Sequence, residues 1–339
     1  MIERLKKQLE NVPYFGKDAD EELSYLAKTR ADAFDVSSKE RIRLNEELEF
    51  IKKSGIAKVI LFALDAVKSV REDCKIILHE NYLYIHYLLG LTDVNPVKYN
   101  LPRERFFNEH RYLLPEYCFY VKEGNVGKIL NRLYMLYGEN HFIKGVDNKA
   151  TYFISQKDLT DSDIVKEKII NAKLNEETYK ENISYLKRSE LYGLYYYSFS
   201  IIEYYSCDSL EKDFTEEEIY LKCKELFDFI EREPFPFTEI LEITEILKHT
   251  ENVIYFQEQV IEFFTKICGV SLLEADFLRR ELCKRKRCSF GEITKILNEK
   301  YGEKGEKILE YFFENGKYSI MKGHIIALLY SNVKYENIF

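Results

Sequence analysis

Apolar positions recur at helical spacing along most of the chain. Over 20–33, Leu23, Leu26 and Ala27 fall on one stripe, three and four residues apart, which predicts a helix. Ser37 stands three residues before Glu40, the spacing at which each side chain satisfies the other's backbone N–H at a helix start. The helix it opens carries Ile42, Leu44, Leu48 and Ile51, and Gly55 supplies a stop. The stretch 56–70 is apolar almost throughout and reads as a strand turning into a helix. A second apolar segment, 82–91, is broken by Thr92-Asp93-Val94-Asn95-Pro96. A polar amphipathic helix is predicted over 161–180, followed by an aromatic run over 191–205. Thr215 with Glu216, Glu217 and Glu218 opens a helix over 215–232, its carboxylates placed where the helix dipole favours them. Pro234 and Pro236 interrupt the chain, and a boundary is expected there. Beyond it the pattern is helical throughout, over 238–249, 253–268, 271–287, 289–300, 303–315 and 319–331.

Length and composition narrow the picture. The 339 residues suit about two domains. Apolar residues at 46% and charged residues at 32% supply a core and exclude wholesale disorder. Only 14 Gly and 6 Pro leave few turn-formers, which favours helices over a sandwich or barrel. Lys and Arg number 50 against 58 Asp and Glu, for a formal charge of −8. A dedicated nucleic-acid binder has the opposite balance, so any DNA contact must rest on a local patch. The seven cysteines form no C-x-x-C pair and no cluster with histidine at zinc spacing, which points to thiols in a reducing compartment. The first residues, Met1-Ile2-Glu3-Arg4, open no signal-peptide stretch, and no apolar run reaches membrane-spanning length. A cytoplasmic protein with no membrane partner is expected.

Two separated blocks, 41–120 and 246–324, resemble the bacterial DNA polymerase III alpha subunit, the C-family replicative polymerase. The resemblance is carried by Leu89-Gly90-Leu91-Thr92-Asp93-x-x-Pro96 in the first block. In the second it is carried by Gln257-Glu258-Gln259-Val260 and by Glu274-Ala275-Asp276-x-Leu278-Arg279-Arg280. The implied fold is α+β and predominantly helical: a palm-like small mixed sheet with helices, followed by an all-helical fingers-like subdomain. The implied domains are a palm-like 1–234, with the weakest similarity over 121–234, and a helical fingers-like 235–339.

The chemistry departs from the family. Two-metal nucleotidyl transfer needs carboxylates that bridge two cations about 3.5–4 Å apart. The family supplies two of them from a Pro-Asp-x-Asp-x-Asp strand, where this chain reads Pro115-Glu116-Tyr117-Cys118-Phe119-Tyr120. Only Glu116 keeps a carboxylate. Cys118 offers a soft thiol, poorly suited to Mg²⁺, and Tyr120 a neutral phenol. The third acid's position falls on Tyr192. The family's Gly-rich phosphate turn is here Cys74-Lys75-Ile76-Ile77-Leu78-His79, with no glycine to let a phosphate approach the backbone. The catalytic positions Glu116, Cys118 and Tyr192 are therefore degenerate. No metal site and no cofactor are expected, and Mg²⁺ enters only if relocated acids, Glu116 with Asp228 or Glu190, support slow polymerase activity.

What remains is a basic segment. Residues 279–287 (RRELCKRKR) hold six cations and one Glu, net +5. By resemblance Arg279, Arg280 and Lys284 stand where the family meets triphosphate or template, and Arg285, Lys286 and Arg287 continue the patch. The same cations also suit a helix C-terminus, where they complement the dipole. Glu116, Cys118 and His110 make a leftover more readily than a metal site. His324, in an apolar helix, reads as a packing residue, and the aromatic run 195–205 as core plus partner surface. The leading expectation is a catalytically degenerate polymerase III alpha-like remnant that binds DNA through 279–287 or a replication or repair protein. The rivals are a low-activity DNA polymerase and an interaction protein with no nucleic-acid contact.

Overall fold

The fold comes from a computed structural model that describes residues 9–10, 12–68, 70, 74–76, 79–106, 114, 117–122, 124–144, 151–154, 197–204 and 212–331. The chain divides into two compact units, one of Met1–Val97 with Glu109–Cys207, the other of Lys98–Asn108 with Asp208–Phe339.

In the first unit α1 (Ala19–Ala33) starts at Asp18, whose carboxylate accepts the N–H groups of Asp20 and Glu21. Helix α2 (Ser38–Ser54) has the reciprocal cap read from Ser37 and Glu40, and it ends at Gly55 in the left-handed region, φ 69°. The apolar stretch after it contains no strand. It is a single helix, α3 (Ala57–Val67), with eight of its eleven residues buried. Because α1 and α5 (Val126–Tyr137) cover it, its polar face vanishes, and with it the periodicity that distinguishes helix from strand.

Among the described residues the sheet has five strands: β1 (Cys74–Ile76), β2 (Cys118–Lys122), β3 (Phe142–Lys144), β4 (Thr151–Ile154) and β5 (Tyr197–Tyr204). Their order is β1-β2-β5-β4-β3. Strands β2 and β5 run parallel and the other pairs antiparallel, so the sheet is small and mixed. Together with the helices this is the α+β, mainly helical fold expected. The 161–180 helix and most of the aromatic run lie outside the described residues.

In the second unit the helices are α6 (Glu216–Phe227), α7 (Leu241–Leu247), α8 (Gln257–Glu262), α9 (Leu272–Cys283), α10 (Gly291–Tyr301), α11 (Lys304–Gly316) and α12 (Lys322–Ser331). Helices α7 to α11 enclose a hydrophobic core, in which Phe263 stacks on Phe312 with centroids 3.7 Å apart. This unit begins before the boundary expected near Pro234. Helix α6 joins it through the ring contact of Tyr220 with Tyr255 and the ion pair of Glu216 with Lys322. Residues 98–108 join it as well: the Tyr99 hydroxyl accepts the Phe214 N–H and meets the Tyr330 hydroxyl.

Candidate functional site

Strand β2 carries the positions where acids were sought. It lies between β1 and β5, with Tyr120 opposite Lys75 on one side and Ile202 on the other. Alternation places Cys118 and Tyr120 on one face, Phe119 and Val121 on the other. Both faces are covered. Cys118 is 9% exposed, Tyr120 2%, and Phe119 and Val121 not at all. Tyr117, just before the strand, is also buried. Its ring stacks on Phe119, and its hydroxyl shares a 2.8 Å hydrogen bond with His86 Nε2. Residues 117–121 thus hold core side chains. Glu116, Tyr192, Glu190 and His110 lie outside the described residues. Among those described, no three His, Cys, Asp or Glu residues gather in a metal-holding group. A magnesium pair, which the resemblance implies, does not fit the donors at Cys118 and Tyr120, a thiol and a phenol in place of hard oxygen anions.

Other motif residues of this unit serve the backbone. Glu47, fully buried, accepts the N–H groups of Tyr84 and Ile85 at 2.9 Å and so caps α4 (Tyr84–Leu88), while Arg43 pairs with it. Burial pushes the Glu47 carboxyl up, against the pull of Arg43 and the two amides. In Leu89-Gly90-Leu91-Thr92, Gly90 takes φ 72° and the Thr92 hydroxyl donates to buried Asn81. In the segment compared with the family's phosphate turn, Cys74–Ile76 is β1 and His79 opens a helical turn, with Ile77 and Leu78 outside the described residues.

The second unit holds the cations. Asp276 on α9 is fully buried and receives three guanidinium groups: Arg105 Nη1 at 2.9 Å, Arg279 Nη2 at 3.3 Å and Arg280 Nη2 at 2.8 Å. Arg105 also donates to Gln257, whose amide donates to the Ser319 carbonyl at 3.0 Å. Burial, and then the neighbouring Arg105, push the Arg279 guanidinium below its usual range. The rest of Gln257-Glu258-Gln259 is structural too. Gln259 accepts the N–H groups of Tyr255 and Phe256 and donates to Thr250, and Glu258 accepts the Lys322 N–H at the start of α12.

The basic segment therefore divides. Arg279 and Arg280 point inward to Asp276, with side chains 8% and 24% exposed. Lys284, Arg285, Lys286 and Arg287 are exposed on the turn that ends α9. Two backbone bonds, Arg285 N–H to Leu282 and Lys286 N–H to Glu281, close that turn and put Arg285 at φ 55°. Lys284 and Lys286 both reach Glu281, at 3.3 and 3.4 Å. Arg287 forks onto Glu310 with two 2.7 Å bonds and lies over the Phe313 ring. That fork holds the Glu310 carboxyl below its usual range. Asp228 caps the C-terminus of α6 and is exposed, and His324 is buried on α12.

Sequence reasoning missed Arg105 and Asp276 as a centre. Half the signal was present: Asp276 lies three and four residues before Arg279 and Arg280, the spacing of helical ion pairs.

Residues 19–157 match the bacterial DNA polymerase III alpha NTPase domain, and residues 219–305 match the bacterial DNA polymerase III alpha subunit finger domain. Two stretches of the chain are thus similar to parts of the bacterial polymerase III alpha subunit. The finger-domain match begins inside α6, ahead of Pro234, as the second compact unit does. The DNA polymerase III subunit alpha of Treponema pallidum is 36% identical over 103 residues, 29% of this chain and 9% of that protein. That of Halalkalibacterium halodurans is 34% identical over 97 residues, 27% of this chain and 8% of the relative. That of Mycoplasma genitalium is 29% identical over 105 residues, 30% of this chain and 12% of the relative. The aligned stretches thus span only a small part of these relatives' own length. Among the described residues, no helix is long and apolar enough to cross a membrane.

Proposed function

We propose that this chain is a catalytically degenerate relative of the polymerase III alpha subunit, which acts by binding rather than by nucleotidyl transfer. The observation that carries this reading is the burial of Cys118 and Tyr120 in β2, at the positions the family fills with acids. A thiol and a phenol packed into a core neither hold Mg²⁺ nor meet a triphosphate. The cytoplasm is the compartment that suits such a protein and its thiols.

The binding surface in this reading is Lys284–Arg287, the exposed half of the basic segment, and its partner is DNA. Arg279 and Arg280 contribute by holding α9 together. A salt titration of labelled primed duplex tests it. Since Glu281 and Glu310 offset part of the charge, log affinity should fall with log salt at a slope shallower than about −4. The Lys284→Glu/Lys286→Glu double variant should flatten it further. No binding at low salt sinks the DNA reading and leaves a protein partner in replication or repair, a reading the offsetting carboxylates favour.

A further inference from the structure

Helix α6 buries one face and leaves the other bare. Ile219, Tyr220, Cys223 and Phe227 are buried, and Tyr220 meets Tyr255. On the opposite side Glu217, Leu221, Glu225 and Asp228 stand three or four residues apart, on one stripe. Leu221 is 53% exposed, and Phe229, just past the end of the helix, 77%. Single exposed apolar side chains are ordinary. The charges around these two are not. Within 212–233 eight carboxylates face four cations, net −4. All four cations are engaged: Lys212 with Glu218, Lys222 with Glu225, Lys224 with Glu251, and Arg232 with the Tyr318 carbonyl and the Tyr255 ring. From outside the segment, Lys98 reaches Asp213 and Lys322 reaches Glu216. Glu217, Asp228, Glu231 and Glu233 make no ion pair with any described residue. The helix dipole favours Glu217, in the first turn. It disfavours Asp228, which caps the negative end, and the fold gains nothing from an anion there.

From this face we infer that α6 docks a basic amphipathic helix of a partner protein. Apolar side chains in the middle of that helix cover Leu221 and Phe229. Lys or Arg toward its two ends meet Glu217 on one side and Asp228 with Glu231 on the other. Glu217 and Asp228 are eleven residues apart, about 16 Å along a helix, and the partner's cations need the same spacing. An extended strand is the poorer fit, because α6 spends its backbone groups on its own hydrogen bonds and presents side chains alone. The unpaired carboxylates repel phosphate, so this is not a DNA surface. The inference goes beyond the DNA contact proposed above and stands whether or not that contact holds.

The test measures fluorescence anisotropy of a labelled helical peptide of about fourteen residues, with lysines at both ends of a leucine stripe, against the full chain at low salt. Binding is expected, and versions with Glu for Lys or Ser for Leu should bind at least about tenfold more weakly. Leu221→Ser/Phe229→Ser and Asp228→Lys/Glu231→Lys should each weaken binding by about tenfold with the urea midpoint nearly unmoved. Glu292→Lys/Glu306→Lys, the same charge change on α10 and α11, should weaken it less than about twofold. Absence of binding, equal binding of the Glu peptide, or an equal loss in the α10/α11 variant overturns the inference. Self-association of the chain that disappears in Leu221→Ser/Phe229→Ser, without peptide binding, overturns it too and gives the face to a second copy.

Discussion

Strand β2 and helix α9 both carry residues that the proposed reading compares with family motifs, yet their surroundings differ. On α9 the motif is intact, and its charges hold one another: Asp276 gathers Arg279, Arg280 and the distant Arg105. On β2, Cys118 and Tyr120, which the proposed reading sets at the family's acid positions, are packed away. A polar residue with internal partners stabilises the fold whatever the ligand does. A cluster of like charges whose only partner is a metal is a burden once that metal is unused. Site and scaffold can separate in this way because function resides in the site and not in the fold.

The largest effect should come from the α9 side of this contrast. Asp276→Ala takes the shared carboxylate from buried Arg105 and Arg279 and from half-buried Arg280, and should lower stability by about 3–5 kcal/mol in urea unfolding. A loss under about 1 kcal/mol would mean that the arginines turn outward and that the cluster is not structural. Restoring an acid to β2 comes next. Cys118→Asp places an unpaired carboxylate in a covered strand and should cost about 2–4 kcal/mol without giving polymerase activity. If Mg²⁺ rescued that variant's stability, β2 would be an open metal site after all.

How these regions read in the sequence explains where expectation and structure part. Local devices were legible: the Ser37–Glu40 cap, the Gly55 stop, the Thr215 start and each helix after 241 follow from residues within a turn of one another. Helix α3 was half misread because full burial erases periodicity. The sheet order was beyond reach, since β2 pairs with β5 across some eighty positions. Arg105 was missed for the same reason, its acid lying 171 residues away. At the candidate site the residue types at 116, 118 and 120 could be read directly from the sequence. The burial of Cys118 and Tyr120, and the inward turn of Arg279 and Arg280, were not, because burial depends on the whole fold.

Two weaker effects sharpen the contrast. Burial lowers His324 from 6.5 to about 4. Between those values the unfolded chain binds a proton that the folded chain refuses, so stability should fall as pH drops from about 6.5 to about 4. The total is on the order of 3 kcal/mol. His324→Leu should flatten this slope, and an unchanged slope would assign it to other groups. The smallest effect belongs to the exposed half of the basic segment. Arg287→Ala removes a surface fork to Glu310 and the cation over the Phe313 ring, and should move the urea midpoint only slightly; if the proposed DNA contact is right, it should also weaken binding at low salt.

The most direct measurement is primer extension by the purified full chain on a primed template, with all four deoxynucleoside triphosphates and either Mg²⁺ or Mn²⁺. No extension above a protein-free control is predicted. Template-directed extension that disappears in Glu116→Gln would contradict the account and return this chain to the working polymerases.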